Sequence, residues 1–314
     1  MFQQGVLLKN HSHYKIGGLS KYFIEVKTVD EIIKAIKKTR LLKMPVFILG
    51  GGTNILFNDN GFDGAIIKIK NSNFEIQDEI SEKKIIKAEA GLLLADLVNL
   101  ALEKGFSGLE WAAGLPGTLG GAIRGNAGSF EGEMKDIITQ VSSIDISKLE
   151  EKFIKRNNQD CKFNYRSSIF KTEAKNEIII EAILTLTKGD KNSIREIAQK
   201  NINYRKTNQP LDYPSIGSIF KNIDLKNIPL KRHKEFVLVI KKDPFPVIPV
   251  AYLISESGLK GISCGGAMIS PKHPNFIINT LNASSNDVEN LIQLIKKQVK
   301  NKFNIELTEE IIRV

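Results

Sequence analysis

The feature that most constrains how this chain can fold is a segment of unusual glycine density. Seven of its 24 glycines fall within the nineteen residues from Gly114 to Gly132. Glycine loses more conformational freedom on folding than any other residue, so such density is tolerated where the backbone must approach something closely. The segment predicts a loop, and two explanations stay open. Its amides could line a flat or anionic ligand, or the segment could be a tightly packed corner.

The rest of the chain alternates between strand and helix patterns, which predicts an α/β (α+β) protein. Helices are predicted from Val29, with Thr28 and Glu31 as a capping box, from Ser193 to about Tyr204 with Ser193 and Glu196 as a cap, and at residues 94–104, 250–257 and 287–302. Strands are predicted at residues 22–27, 46–49, 65–69, 84–90, 137–146, 152–155 and 177–187. These runs predict two α/β lobes, the second ending near Tyr204, and a third unit after a linker at residues 207–214. The domains are placed at residues 1–70, 71–206 and 207–314, and the last strand is expected to return to the first domain.

Composition narrows the class of protein. The hydrophobic fraction is 42%, the net charge is +10, and no run of 18 apolar residues is present. These values predict a globular, cytoplasmic protein without a membrane span or a signal peptide, and the positive charge favours anionic partners. The two cysteines, Cys161 and Cys264, are far apart and lack a CxxC spacing, so neither a disulfide framework nor a cysteine-ligated zinc site is expected. The four histidines lack metal-ligand spacing, and no metal site is predicted.

A second glycine motif follows the predicted strand 46–49. Glycines directly after a strand allow close approach of the backbone to a phosphate, and the threonine and asparagine that follow add donors. Phosphate binding and a plain tight turn both remain possible, since the Rossmann and P-loop spacings are absent. The candidate residues are Gly50, Gly51, Gly52, Thr53, Asn54 and Ile55.

Three polar positions could carry chemistry. Arg166, beside Tyr165, offers a fixed fork of donors suited to a carboxylate or phosphate, although a surface arginine has the same pattern. Ser218 could be a nucleophile, a proton donor or a turn residue; the G-x-S-x-G elbow of a hydrolase is absent. If residues 305–311 form a regular strand, Glu309 and Glu310 point to opposite faces, and the pattern alone does not choose between them.

In this order, the motifs resemble one family, the UDP-N-acetylenolpyruvoylglucosamine reductases, which are flavoenzymes of peptidoglycan precursor synthesis. The resemblance runs from Ser12 to Ile312. It rests on eight ordered segments: Tyr14–Gly18, Leu49–Leu56, Gly114–Gly128, Tyr165–Arg166, Gln209–Asn222, Gly258–Ala267, Lys272–Phe276 and Leu307–Ile311.

The resemblance implies a fold and a set of contacts. The fold would be an FAD-binding module of the vanillyl-alcohol oxidase type, built from two α/β subdomains, followed by an α+β substrate domain. FAD would lie against Gly50–Ile55 and against part of the glycine-dense segment: Gly114, Pro116, Gly117, Thr118, Gly120, Gly121, Asn126, Ala127 and Gly128. Substrate contacts would come from Tyr165, Asn222, Lys260 and Asn275.

The implied reaction is reduction of UDP-N-acetylglucosamine enolpyruvate to UDP-N-acetylmuramate. NADPH would reduce FAD, and the flavin would deliver hydride to the enolpyruvyl alkene. Ser218 would donate the proton, Arg166 would face the carboxylate, and Glu310 would complete the site. The expected partners are therefore the UDP-sugar and NADPH, with no nucleic acid and no membrane. The oligomeric state is open, with a monomer as the default expectation.

Two other functions compete with this one. A related FAD-dependent oxidase or dehydrogenase of an alcohol or hydroxy acid would share the glycine loops without requiring Arg166, Ser218 and Glu310 together. A basic nucleic-acid-binding protein is supported only by the charge of +10, because no basic stripe with interleaved aromatic residues is present.

Overall fold

The computed structural model describes residues 2–80, 82–148 and 152–314, with the side chains of residues 78–80 excepted. The chain forms two compact units. The first contains residues 1–5, 21–51 and 63–204, and the second contains residues 6–20, 52–62 and 205–314. Each unit is assembled from separated stretches of sequence, and the division into three domains stays a prediction.

The helices are α1 (Val29–Leu41), α2 (Leu94–Lys104), α3 (Leu119–Gly125), α4 (Met134–Ile137), α5 (Lys191–Asn208), α6 (Val250–Glu256) and α7 (Ser285–Phe303). The strands are β1 (Gln3–Leu7), β2 (Leu19–Val26), β3 (Val46–Leu49), β4 (Ile55–Leu56), β5 (Phe62–Ile69), β6 (Phe74–Ile80), β7 (Lys83–Glu89), β8 (Phe106–Ser107), β9 (Gly128–Ser129), β10 (Gly132–Glu133), β11 (Ile138–Asp145), β12 (Phe153–Asn157), β13 (Glu177–Lys188), β14 (Ile223–Asp224), β15 (Val247–Ile248), β16 (Ser263–Cys264), β17 (Ala267–Ile269), β18 (Ile277–Asn279) and β19 (Ile312–Arg313).

The first unit is organised around two sheets. One has the order β1-β2-β5-β3, and β3 pairs with β5 in parallel after the α1 crossover. The other is antiparallel, with the order β12-β11-β13-β7-β6 and β8 added at the end of β13. Its long central strand, β13, is buried at alternate positions, as a strand packed on a core by one face requires. The core contains Trp111, Ile123 and Phe170 among others.

Local signals explain most helix boundaries. The Thr28 side chain accepts the amide of Glu31 at the start of α1, and α2 ends at Gly105 in the left-handed conformation. The predicted start of α5 at Ser193 is wrong. The helix begins at Lys191, because the side chain of Asp190 accepts the Ser193 amide at 2.8 Å and takes the capping position.

The glycine-dense segment is more ordered than a loop. It contains α3, capped by Thr118, whose hydroxyl accepts the Gly121 amide, and also the short strand β9. The helix forms despite two glycines in its first turn, because Leu119, Ala122 and Ile123 are buried in the core. Tertiary burial here outweighs the poor helix propensity of glycine.

The second unit packs α6 and α7 with the small sheet β16-β17-β18. The helix predicted at residues 287–302 spans Ser285–Phe303 and is therefore longer at both ends. Its start is set by a capping box that Ser284 and Asp287 form. The regular strand considered for residues 305–311 is not formed. Glu309 makes an isolated bridge with Phe220, and regular pairing resumes in β19, which runs parallel to β4. Among the described residues, no helix is both long enough and apolar enough to span a membrane.

Candidate active site

The triple-glycine loop begins where β3 ends. A Cβ at Gly50 would lie 2.6 Å from the Thr118 hydroxyl, so this glycine lets the two glycine-rich segments touch within the first unit. A Cβ at Gly52, which has φ +68°, would lie 2.3 Å from the carbonyl oxygen of His11 in the second unit. Within the described ranges, the amides of Gly50, Gly51 and Thr53 donate no hydrogen bond to the protein. Unpaired successive amides of this kind are suited to an anion.

The segment Gly114–Gly121 divides into engaged and available backbone groups. The Leu119 and Gly120 amides donate to the carbonyls of Leu92 and Ala90, and Gly120 lies directly against Ala90, so these groups serve packing. Gly114 and Gly117 have φ values of +79° and +124°. In the part of the chain that the structure describes, the Gly117 and Thr118 amides have no acceptor. The start of this segment therefore retains the capacity to bind a ligand.

The Asn126–Gly128 stretch is engaged within the protein. Asn126 is fully buried, and its amide donates to Glu133 at 2.7 Å and to the Asn164 carbonyl at 3.1 Å. Both backbone groups of Ala127 are bonded, the amide to Ala122 and the carbonyl to Met134. A direct contact of these residues with a cofactor stays a prediction. The sequence analysis missed the buried carboxylate of Glu133 as the partner of Asn126. No motif in the sequence around Glu133 indicates that its side chain is buried.

Tyr165 and Arg166 form the tip of a tight turn. Asn164 and Ser167 exchange two backbone hydrogen bonds, both of 3.0 Å, and Arg166 takes a φ of +50°. Its guanidinium donates to the Gly128 carbonyl at 2.7 Å and lies 5.1 Å from the Tyr165 ring centre. These contacts hold the cation at the end of the glycine-dense segment.

Ser218 lies in the second unit, in the irregular segment between α5 and β14. On one side, the Ile219 amide donates to the Asn275 carbonyl at 2.8 Å, and on the other, the Ile219 carbonyl accepts the Glu310 amide at 2.8 Å. Ile219 itself is fully buried, whereas Ser218 is only partly buried. The Ser218 hydroxyl makes no hydrogen bond with any other residue that the structure describes. It is therefore held on a fixed backbone and remains available.

The structure separates the two adjacent glutamates. Glu309 forms ion pairs with Lys296 and, at 2.5 Å, with Arg313. The carboxylate of Glu289, followed by that of Glu309, raises the pKa of Arg313. Glu310 instead joins two predicted site segments through its backbone, since its amide donates beside Ser218 and its carbonyl accepts the Asn54 side chain at 3.1 Å. The backbone of Glu310 is thus bonded to the residue that follows Ser218.

The remaining predicted substrate contacts differ in their environments. The buried Asn275 side chain makes two bonds with the Phe220 backbone, of 3.1 and 2.8 Å, and therefore supports the Ser218 segment. The Asn222 carboxamide accepts the Val250 amide at the start of α6, and Lys260 is exposed. Arg166 and Tyr165 belong to the first unit, whereas Ser218, Asn222, Lys260, Asn275 and Glu310 belong to the second.

Comparison with known sequences identifies the family. The model of the UDP-N-acetylenolpyruvoylglucosamine reductase C-terminal domain matches residues 209–314, and that of an FAD binding domain matches residues 20–147. The UDP-N-acetylenolpyruvoylglucosamine reductase of Caldanaerobacter subterraneus is 39% identical over 304 residues, which cover 97% of this chain and 90% of the relative. The chain belongs to the UDP-N-acetylenolpyruvoylglucosamine reductase family. The reductase of Clostridium tetani is 36% identical, with coverage of 98% and 90%.

Solved structures agree with this family assignment. The crystal structure of UDP-N-acetylenolpyruvylglucosamine reductase from Thermus caldophilus matches with a TM-score of 0.76 and 28% identity, covering 100% of this chain and 99% of that one. The predicted resemblance and the predicted α/β fold with an FAD-binding module and a separate C-terminal domain are confirmed. Unpaired amides at Gly50, Gly51, Thr53, Gly117 and Thr118 fit the anionic pyrophosphate of such a cofactor.

Proposed function

We propose that this protein is an NADPH-dependent flavoenzyme that reduces UDP-N-acetylglucosamine enolpyruvate to UDP-N-acetylmuramate. The observation that carries this proposal is the relationship to named reductases along nearly the whole chain, 97% of it in one case. Such a protein would act in the cytoplasm on small molecules, with the UDP-sugar and NADPH as its partners. The net charge of +10 favours the approach of these anions.

Two groups of residues would hold the ligands. The free amides of the triple-glycine loop and of Gly117 and Thr118 would bind the FAD pyrophosphate. Arg166, fixed by the Gly128 carbonyl and the Tyr165 ring, would face the substrate carboxylate, where negative charge develops during the reaction. Asn222 and Lys260 would supply further substrate contacts, while Asn275 supports the segment that contains Ser218.

Protonation of the product would fall to Ser218. When bound, FAD would supply the hydride that reaches the enolpyruvyl double bond. Ser218 offers an unengaged hydroxyl on a backbone that is bonded on both sides, so its proton can be directed without reorganisation. Glu310, placed on the neighbouring segment, would orient this proton transfer. A hydroxyl is a weak acid, so this role suits only a strongly basic carbanion.

The test separates the two half-reactions in the Ser218→Ala variant. Flavin absorbance would be followed anaerobically after NADPH and then after the enolpyruvyl UDP-sugar. Bleaching by NADPH should match the wild type, whereas recovery of the band should slow by at least 100-fold, in the range of general acid catalysis. Ser215→Ala, in the same segment, is the matched control. Normal recovery in Ser218→Ala would exclude the proton-donor role.

The alternative is an FAD-dependent oxidase or dehydrogenase of an alcohol or hydroxy acid. It shares the glycine loops, but it gives no reason for Ser218 and Glu310 to lie on adjacent segments. Rapid flavin bleaching by such a substrate without NADPH would favour this alternative, and a flavin that the UDP-sugar does not reoxidise would remove the proposed reaction.

A further inference from the structure

Arg124 stands out among the partly buried side chains of the first unit. It lies in the last turn of α3, inside the glycine-dense segment, and burial lowers the pKa of its guanidinium. Across the described residues, this guanidinium has no hydrogen bond, ion pair or aromatic contact. Its backbone, by contrast, is fixed, because the Ser168 hydroxyl donates to the Arg124 carbonyl at 2.7 Å.

The other partly buried arginines of this unit all have partners. Arg40 donates to the carbonyls of Ile146 and Lys148, Arg156 pairs with Glu177, and Arg166 donates to the Gly128 carbonyl. The unit's remaining arginine, Arg195, is exposed and has full access to water. Arg124 is therefore the exception, since it is partly buried and has no partner among the described residues of the protein.

Partial burial of a cation without a partner is unfavourable, and an anionic group of a ligand would compensate for it. The surroundings leave room for such a ligand. A Cβ built at the adjacent Gly125 would meet no atom within 4 Å. The same segment also presents the acceptor-free amides of Gly117 and Thr118, which are suited to negative charge.

We propose that Arg124 binds a phosphate group of a ligand held by the glycine-dense segment. This inference rests on the proposed function for the source of that anion, which is the pyrophosphate of FAD, the phosphates of the UDP-sugar or those of NADPH. Arg124 thus adds a second arginine, besides Arg166, to the ligand-binding part of the first unit.

The test compares Arg124→Met, which keeps the apolar stem without the charge, with Arg124→Lys and with the exposed control Arg195→Met. For each variant, the thermal midpoint of the apoprotein would be measured first. Dissociation constants would then be measured for FAD on the apoprotein, and for UDP and NADPH on the FAD-loaded protein. These three titrations distinguish the sources of the anion.

Arg124→Met should leave the apoprotein midpoint unchanged or raise it, because an uncompensated charge is removed. It should weaken at least one of the three ligands by tenfold or more, with partial recovery in Arg124→Lys and no change in Arg195→Met. If Arg124→Met bound all three ligands with wild-type affinity, the proposal would be overturned. A lower apoprotein midpoint in both Arg124 variants would also overturn it, by assigning the residue a structural role. The thermal midpoints and dissociation constants do not depend on catalytic turnover. A failure of the proposed reaction can therefore be distinguished from a failure of this proposal.

Discussion

At the scale of single residues, the two adjacent glutamates differ in their contacts, and this difference favours Glu310 as the proposed catalytic carboxylate. Glu309 is held by two cations, with a side chain 13% exposed, so its charge serves the structure. Glu310 has its backbone bonded between Asn54 and Ile219 and lies beside Ser218. The pattern could not distinguish them, because the ion pairs of Glu309 come from α7 and β19.

This difference predicts opposite phenotypes for two isosteric changes. Glu310→Gln should lower kcat by at least 100-fold with little effect on stability, because it removes a charge from the proposed proton-transfer site. Glu309→Gln should retain activity and lower the free energy of unfolding by about 1 kcal/mol, as expected for partly exposed ion pairs. Steady-state kinetics and urea denaturation on both variants would check this. Equal activity losses would refute the assignment.

His273 predicts a pH dependence of stability. Burial, followed by the nearby charge of Lys241, lowers its pKa to about 4, and its Nδ1 has no hydrogen-bond partner among the described residues. The unfolded chain, with an ordinary histidine pKa near 6.5, binds the proton more readily, so stability is full above about pH 6.5 and is lost as the pH falls toward 4. The loss from this group is about 3 kcal/mol at most.

Denaturant titrations between pH 4 and pH 7 would measure this effect. The wild type should lose stability across this interval more steeply than His273→Asn, which lacks the titrating ring. Parallel curves for the two proteins would show that His273 does not contribute.

At the scale of secondary structure, the sequence predicted the elements that carry a buried face. The strand 46–49 and the helix 94–104 have the predicted bounds, because their apolar periodicity reports burial directly. Strand β6 was missed, although Phe74 and Ile76 alternate with polar residues. Both apolar side chains are exposed, so this alternation does not mark a buried face. The predicted loop at 114–132 was wrong because α3 owes its formation to burial of three residues, which glycine-rich local sequence does not reveal. Of the site, the sequence could supply the residue types and the resemblance, but not which polar groups the protein already uses.

The antiparallel sheet contains an ion pair that should matter to stability. Arg156 on β12 and Glu177 on β13 pair across β11, at 2.7 Å for one of their two bonds, and Ser143 of β11 also donates to Glu177. Their side chains are only 17% and 7% exposed. Glu177→Ala should therefore lower the free energy of unfolding by about 3 kcal/mol, because the guanidinium would remain buried without a partner.

The exposed pair of Lys21 and Asp63, at 2.9 Å, provides the comparison. Asp63→Ala should have little effect on the free energy of unfolding, because both partners are exposed to water. Chemical denaturation of both variants measures the contrast. A Glu177→Ala cost no larger than that of Asp63→Ala would contradict the inferred importance of the buried pair.

At the scale of the whole molecule, each compact unit combines stretches that lie far apart in the sequence. Residues 6–20 and 52–62 belong with residues 205–314, although they are separated from them by most of the first unit. Local patterns carry no information about such distant partners, because pairing depends on which faces meet after folding. The division at residues 70 and 206 stays a prediction.

The net charge of +10 predicts a salt dependence at this scale. NADPH and the UDP-sugar are anionic, so kcat/KM for each should fall as ionic strength rises, while kcat changes little, because long-range attraction acts on association. Kinetics between 10 and about 300 mM salt would measure this. A kcat/KM that rises with salt would show that the charge does not assist binding.

The pairing of β4 with β19 has a consequence for biosynthesis. Ile55 and Ile312 are neighbours in the folded second unit, yet the ribosome makes them more than 250 residues apart. At a translation rate of roughly 5–20 residues per second, β19 is synthesised up to tens of seconds after β4. Glu310 emerges at the same late moment, so a nascent chain that is released early lacks both a closed second unit and the proposed catalytic carboxylate.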